Sequence, residues 1–128
     1  MTTTSQSVFS AWVEAFRLRT LPLALSAIFL GSFLAAADSR YDIRIIGLAV
    51  LTTLFLQILS NLANDYGDVL KGTDNDDRVG PKRAVQSGRI TLRQMKSAII
   101  IFTLLSFISG LCLLYVALGE RFLTALLF

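Results

Sequence analysis

The chain has 128 residues, 54% of them hydrophobic and 16% charged, with a formal charge of +3 and a mean hydropathy of +0.64. That apolar share is higher than soluble domains usually carry and points to an integral membrane protein. One cysteine and no histidine exclude a disulfide within the chain and a Cys/His metal centre, so any metal would be a hard cation held by oxygens.

Residues 1–7, MTTTSQS, are polar and are expected to be disordered. Phe9, Trp12, Val13 and Phe16 follow at i, i+3, i+4 and i+7, one face of a helix over about residues 8–19. Two placements fit that stripe. It can lie in the membrane interface with Trp12 near the headgroups and Arg17 and Arg19 at an anionic surface, or it can pack on the protein's own helices.

Crossing a hydrocarbon core of about 30 Å takes roughly 17 to 25 helical residues. Three runs are predicted as spans: 21–37, 43–63 and 97–118. Pro22 falls in the first turn of the first span, where its missing N–H costs least. The first span also has the shape of a signal sequence, with Ala35 and Ala37 fitting a cleavage site, but the amphipathic stripe ahead of it argues for retention. Cys112 sits among leucines in the third span and reads as a small apolar side chain. Thr91 with Gln94 three residues on has the capping-box pattern that starts the third long helix. A fourth apolar run opens at Phe122, so the chain reads as one all-α transmembrane domain over residues 1–128, with three full spans and the start of a fourth. It is expected to be the front part of a longer protein.

The segment between the second and third spans carries Lys71, Arg78, Lys82, Arg83, Arg89, Arg93 and Lys96. Local Lys/Arg counts set topology, so this 64–96 loop and the N-terminus are both expected on the cytoplasmic side of the inner membrane.

The stretch NLANDYGDVLKGTDNDDRVGPKR, residues 61–83, runs from the end of the second span into this loop and places Asp65, Asp68, Asp74, Asp76 and Asp77 close to four of those cations. Asn64 and Asp68 are four apart and Asp65 and Asp68 three apart, so their oxygens share one side of the helix end while the helix continues. A helix C-terminus is partly negative and disfavours carboxylates on their own. Clustered aspartates there repel one another unless they share a cation. Mg²⁺ suits them, taking about six oxygens at about 2.1 Å, often from one or two carboxylates and substrate phosphates. Lys71, Arg78, Lys82 and Arg83 surround the cluster, and guanidinium groups fit phosphate oxygens in forked contacts. Carboxylates for metal and cations for phosphate, side by side at a membrane surface, describe a site for a diphosphate with its tail in lipid. The simplest alternative is a solvated loop whose charges pair with each other.

The order of the residues argues against that alternative. NLANDYGDVLKGTDNDDRVGPKRAVQSGRIT resembles the first aspartate-rich motif and following loop of the intramembrane aromatic prenyltransferases, the UbiA superfamily, and within it the dihydroxynaphthoate-prenylating branch. FRLRTLPLALSAIFLG is similar to the N-terminal segment of the same family, so the likeness covers most of residues 12–116. The family's pattern has an Asn, an Asp four on and an Asp four further. Asn64 and Asp68 match the first two places; the third is Gly72, and the nearest carboxylate is Asp74. The second aspartate motif that the family carries in its C-terminal half has no counterpart after Lys96.

The resemblance implies a fragment of a larger UbiA-type bundle. It implies Mg²⁺-dependent transfer of a polyprenyl group from polyprenyl diphosphate to 1,4-dihydroxy-2-naphthoate, with loss of CO₂, giving demethylmenaquinone for menaquinone synthesis. It assigns Asn64, Asp68 and Asp74 to the metal and diphosphate, Asp65 to ligation or its support, and Lys71, Arg78, Lys82 and Arg83 to phosphate oxygens. Partners would be those two substrates and membrane lipid, with no nucleic acid. Other readings are another UbiA-type aromatic prenyltransferase or a non-catalytic segment whose basic loop binds anionic lipid.

Overall fold

The computed structural model describes residues 3–72, 84–85 and 87–128, with side chains described from Val8 onward. Among them every regular element is helical: α1 (Thr3–Phe16), α2 (Leu21–Ala37), α3 (Ile43–Leu70), α4 (Leu92–Leu118) and α5 (Phe122–Leu127), with 3₁₀ turns at Leu18–Thr20 and Gly119–Arg121. Three helical stretches are long and apolar enough to cross a membrane: Val8–Ala37, Ile43–Leu70 and Leu92–Leu127. The predicted all-α architecture with three helical stretches of spanning length is therefore observed, and α5 follows α4 as a short helix.

Local chemistry sets the helix ends. The Asp42 carboxylate accepts the Arg44 N–H at 2.8 Å and so caps α3. The Arg44 side chain donates to the same carboxylate at 2.7 Å, and that bond, with the backbone one, holds the Asp42 pKa below its ordinary value. At α4 the predicted capping box is present. The Thr91 hydroxyl accepts the Gln94 N–H at 3.1 Å and the Gln94 side chain accepts the Thr91 N–H at 2.9 Å. Pro22 lies in the first turn of α2.

Helices α3 and α4 form an antiparallel hairpin, the most extensive packing in the fold. Phe55 meets Phe102 edge to face at 6.0 Å, and deeper in the hairpin the Thr52 hydroxyl donates to Ser109 at 3.0 Å. Ser106 and Ser109 are buried on that seam, where small side chains let two backbones approach and a hydroxyl finds a partner without water. Helix α2 lies along α3 and, among the described residues, buries none of its own side chains; Leu23, Phe29, Leu30 and Phe33 are exposed.

The core sits at the end of the hairpin where the polar loop leaves. Ala11 and Ala15 of α1, Leu62 of α3, Ala84 and Ile90 of the loop's return turn, and Met95 of α4 are all buried there. Part of the α1 stripe packs on the protein's own helices. The face of α1 that is buried is Ala11 and Ala15, with Trp12 and Phe16 packed beside it, while Phe9 is 72% exposed. Phe16 continues into the hairpin, 5.4 Å from Phe102 edge to face. Helix α1 also starts at Thr3, inside the segment expected to be disordered, and ends at Phe16 rather than running to residue 19.

Candidate active site

Helix α3 does not stop with its apolar stretch at Ala63 but carries its backbone ladder on to Leu70, so Asn64, Asp65 and Asp68 stand on regular helix. At about 100° per residue, Asn61, Asp65 and Asp68 line up at i, i+4 and i+7, with Asn64 beside them. Burial grades along that surface. Asn61 and Asp65 are 4% and 3% exposed, Asp68 is half-buried and Asn64 is exposed.

The buried pair is held by the segment joining α1 to α2. One guanidinium nitrogen of Arg17 donates to Asp65 Oδ1 at 2.5 Å, and the Arg17 side chain remains about a third exposed. The Asn61 amide donates to the Phe16 carbonyl at 3.0 Å and to Thr20 Oγ1 at 3.2 Å. Thr20 in turn donates its hydroxyl to the Arg17 carbonyl at 2.9 Å, and Gln57 donates to Asn61 Oδ1 at 3.4 Å. Arg17 itself takes a left-handed backbone conformation, φ 51° and ψ 59°, which a non-glycine residue holds only when its surroundings require it.

A second tie lies across the loop. Both terminal nitrogens of Arg89 reach the Glu14 carboxylate, at 2.5 and 3.2 Å, while Arg89 Nε donates to Ser87 Oγ at 2.9 Å. The Glu14 hydrogen bond raises the Arg89 pKa further above its already high ordinary value. Ala84 organises the turn by accepting from the backbone N–H groups of Arg89 and Ile90 at 3.1 and 3.2 Å, with Gly88 at φ 75°.

Residues 24–128 match the family model described as UbiA prenyltransferase family. The chain belongs to that family. It is 50% identical to 1,4-dihydroxy-2-naphthoate octaprenyltransferase of Escherichia coli (strain K12), an alignment covering 91% of this chain and 38% of the relative. The enzyme of the same name from Haemophilus influenzae is 44% identical over 83% of this chain and 35% of its own length. That from Mycobacterium tuberculosis is 38% identical over 82% and 36%. The chain thus spans little more than a third of the length of these curated relatives. No solved structure matches it.

Within this UbiA-family chain, a multi-pass membrane protein, the structure brings Asn64, Asp65 and Asp68 together at the end of α3, with Lys71 exposed as the helix C-cap. Asp74, Arg78, Lys82 and Arg83 lie outside the described residues. Among the described residues no three His, Cys, Asp or Glu side chains gather as a metal site. What the neighbourhood does offer is oxygen donors alone, an amide and carboxylates at the negative end of a helix, which is the donor chemistry a hard divalent cation takes. Tyr66 is half-buried against the loop-end core.

Sequence reading passed over Arg17, Asn61, Glu14 and Arg89 as site neighbours. Asn61 could have been found, since it opens the quoted motif and precedes Asp65 by one helical turn. The others are joined only by the fold, with 48 residues separating Arg17 from Asp65 and 75 separating Glu14 from Arg89.

Proposed function

We propose that this chain contributes the first aspartate motif of a Mg²⁺-dependent prenyltransferase that joins a polyprenyl diphosphate to 1,4-dihydroxy-2-naphthoate with loss of CO₂, giving demethylmenaquinone. The observation that supports it most is the 50% identity to the Escherichia coli octaprenyltransferase over 91% of the chain, with Asn64 and Asp68 together at the loop end of α3. Asn64, Asp68 and Asp74 would hold the metal, which when bound would stabilise the charge that grows on the departing diphosphate. Lys71, Arg78, Lys82 and Arg83 bind phosphate oxygens, adding fixed positive charge where the leaving group becomes negative. The apolar helices keep the prenyl tail in lipid and water away from the allylic carbon while the electron-rich ring attacks it. By itself the chain carries part of the site.

Prenyl-diphosphate binding tests this reading against the lipid-binding alternative. Binding in liposomes is expected to require Mg²⁺ and to weaken in Asp68→Asn. A basic loop that merely adsorbs anionic lipid would bind without metal and tolerate the substitution.

The orientation is part of the same proposal, with the N-terminus and the 64–96 loop cytoplasmic in the inner membrane, from the cations of that loop. Single cysteines at Ser39 and Lys71, in a Cys112→Ser background, are expected to label from opposite faces of sealed inner-membrane vesicles, Lys71→Cys from the cytoplasmic one. Labelling of both from one face would rule the three-span topology out.

A further inference from the structure

Helix α1 contacts both described flanks of the aspartate loop, with opposite charges. Arg17, the residue that follows its last turn, pairs with Asp65 on α3, where the loop departs; its Glu14 pairs with Arg89, where the loop returns to α4. On the same helix, Ala11 and Ala15 are buried with Leu62, Ala84, Ile90 and Met95, which belong to the same two flanks. Asn61 adds hydrogen bonds to the Phe16 carbonyl and Thr20, fixing the turn that carries Arg17. The turn itself is tight, with Arg17 in a left-handed backbone conformation.

We propose that α1 is a brace for the diphosphate site, and that Asp65 is a positioning residue: it acts through Arg17 to set the direction of the Asn64 and Asp68 side chains rather than ligating the metal. This rests on the function proposed above. Asp65 is buried on the side of α3 that faces the α1–α2 junction, whereas Asn64 and Asp68 have solvent access. A carboxylate already engaged by a guanidinium at 2.5 Å has less negative charge to offer a cation, while its helix turn is held firmly.

Two measurements on this chain in liposomes test the proposal. The first is the distance distribution between nitroxide labels at Phe9→Cys and Lys96→Cys in a Cys112→Ser background. One narrow distance is expected, broadened or shifted in Glu14→Ala/Arg17→Ala and preserved in Arg17→Lys. An unchanged distribution in the double variant would overturn the brace.

The second is Mn²⁺ binding followed by electron paramagnetic resonance. Removing a cation beside a divalent-metal site favours the metal by charge alone, so the sign of the change in Arg17→Ala is decisive. Positioning predicts that Arg17→Ala weakens Mn²⁺ binding roughly fivefold or more, the low end of usual coupling between linked sites. It also predicts that Arg17→Ala/Asp65→Ala is no worse than either single change. Tighter binding in Arg17→Ala, or multiplying losses in the double variant, would make Asp65 an independent ligand and end the positioning role. Failure of the functional reading looks different: the unsubstituted chain would show no Mn²⁺ binding that Asp68→Ala abolishes, while the label distances would still decide the brace.

Discussion

Replacing Asp68 by alanine in a full-length enzyme carrying these residues is expected to lower kcat about 10³-fold or more, roughly 4 kcal/mol of transition-state stabilisation. The size follows from when the interaction acts. A carboxylate that holds the cation opposite a departing diphosphate matters most as the C–O bond breaks, so its loss falls on kcat more than on KM. Lys82→Ala is expected to cost less, roughly 1.5 to 3 kcal/mol, the range for one hydrogen bond to a charged group. Steady-state kinetics at saturating Mg²⁺ check both. Near-normal turnover in Asp68→Ala would remove it from the metal site.

The second large effect is all-or-none. The purified chain in liposomes with Mg²⁺, dihydroxynaphthoate and a prenyl diphosphate is expected to form no product. Two observations support this: the chain spans 38% of the length of its Escherichia coli relative, and α2 exposes Leu23, Phe29, Leu30 and Phe33 where further helices could pack. Without those helices the reacting carbon would lack the enclosure that excludes water. Co-insertion of the remaining two thirds of a related enzyme as a separate polypeptide is expected to restore measurable turnover, because helices inserted independently can associate in the bilayer. Ordinary enzymatic turnover by the chain alone would mean that it, or an oligomer of it, builds a complete site.

Features that depend on a few neighbouring residues could be read before the fold was known. Thr91 and Gln94 form the expected capping box because both partners lie within one turn. Pro22 opens α2 because ring geometry alone favours it there. The spans followed from apolar length, but that criterion ended the second one at Ala63, since hydropathy registers the side chains and not the backbone ladder. The helix continues to Leu70, and the polar side chains of Asn61 and Asp65 find partners on the α1–α2 junction. The amphipathic stripe of α1 drew attention to its largest side chains, yet Ala11 and Ala15 make the closest approach and Phe9 faces outward. Period analysis weights bulk, whereas packing at a crowded crossing rewards smallness. The Arg17–Asp65 and Glu14–Arg89 pairs join positions far apart in the chain, and no local pattern announces them.

The placement of α1 also bears on the order in which the protein is made. Among the described residues, the buried core partners of Ala11 and Ala15 are all translated after α1 itself, from Leu62 to Met95. At about 5 to 20 residues per second, the 80 residues from Ala15 to Met95 take roughly 4 to 16 s to leave the ribosome. During that interval the amphipathic helix has no protein surface to cover Trp12 and Phe16, and the headgroup layer is the natural temporary host for such a helix. For this part of the molecule, α1 can therefore complete its docking on protein only after Met95 has been made. The reactive centre would be assembled only once the membrane spans beside it are already in place.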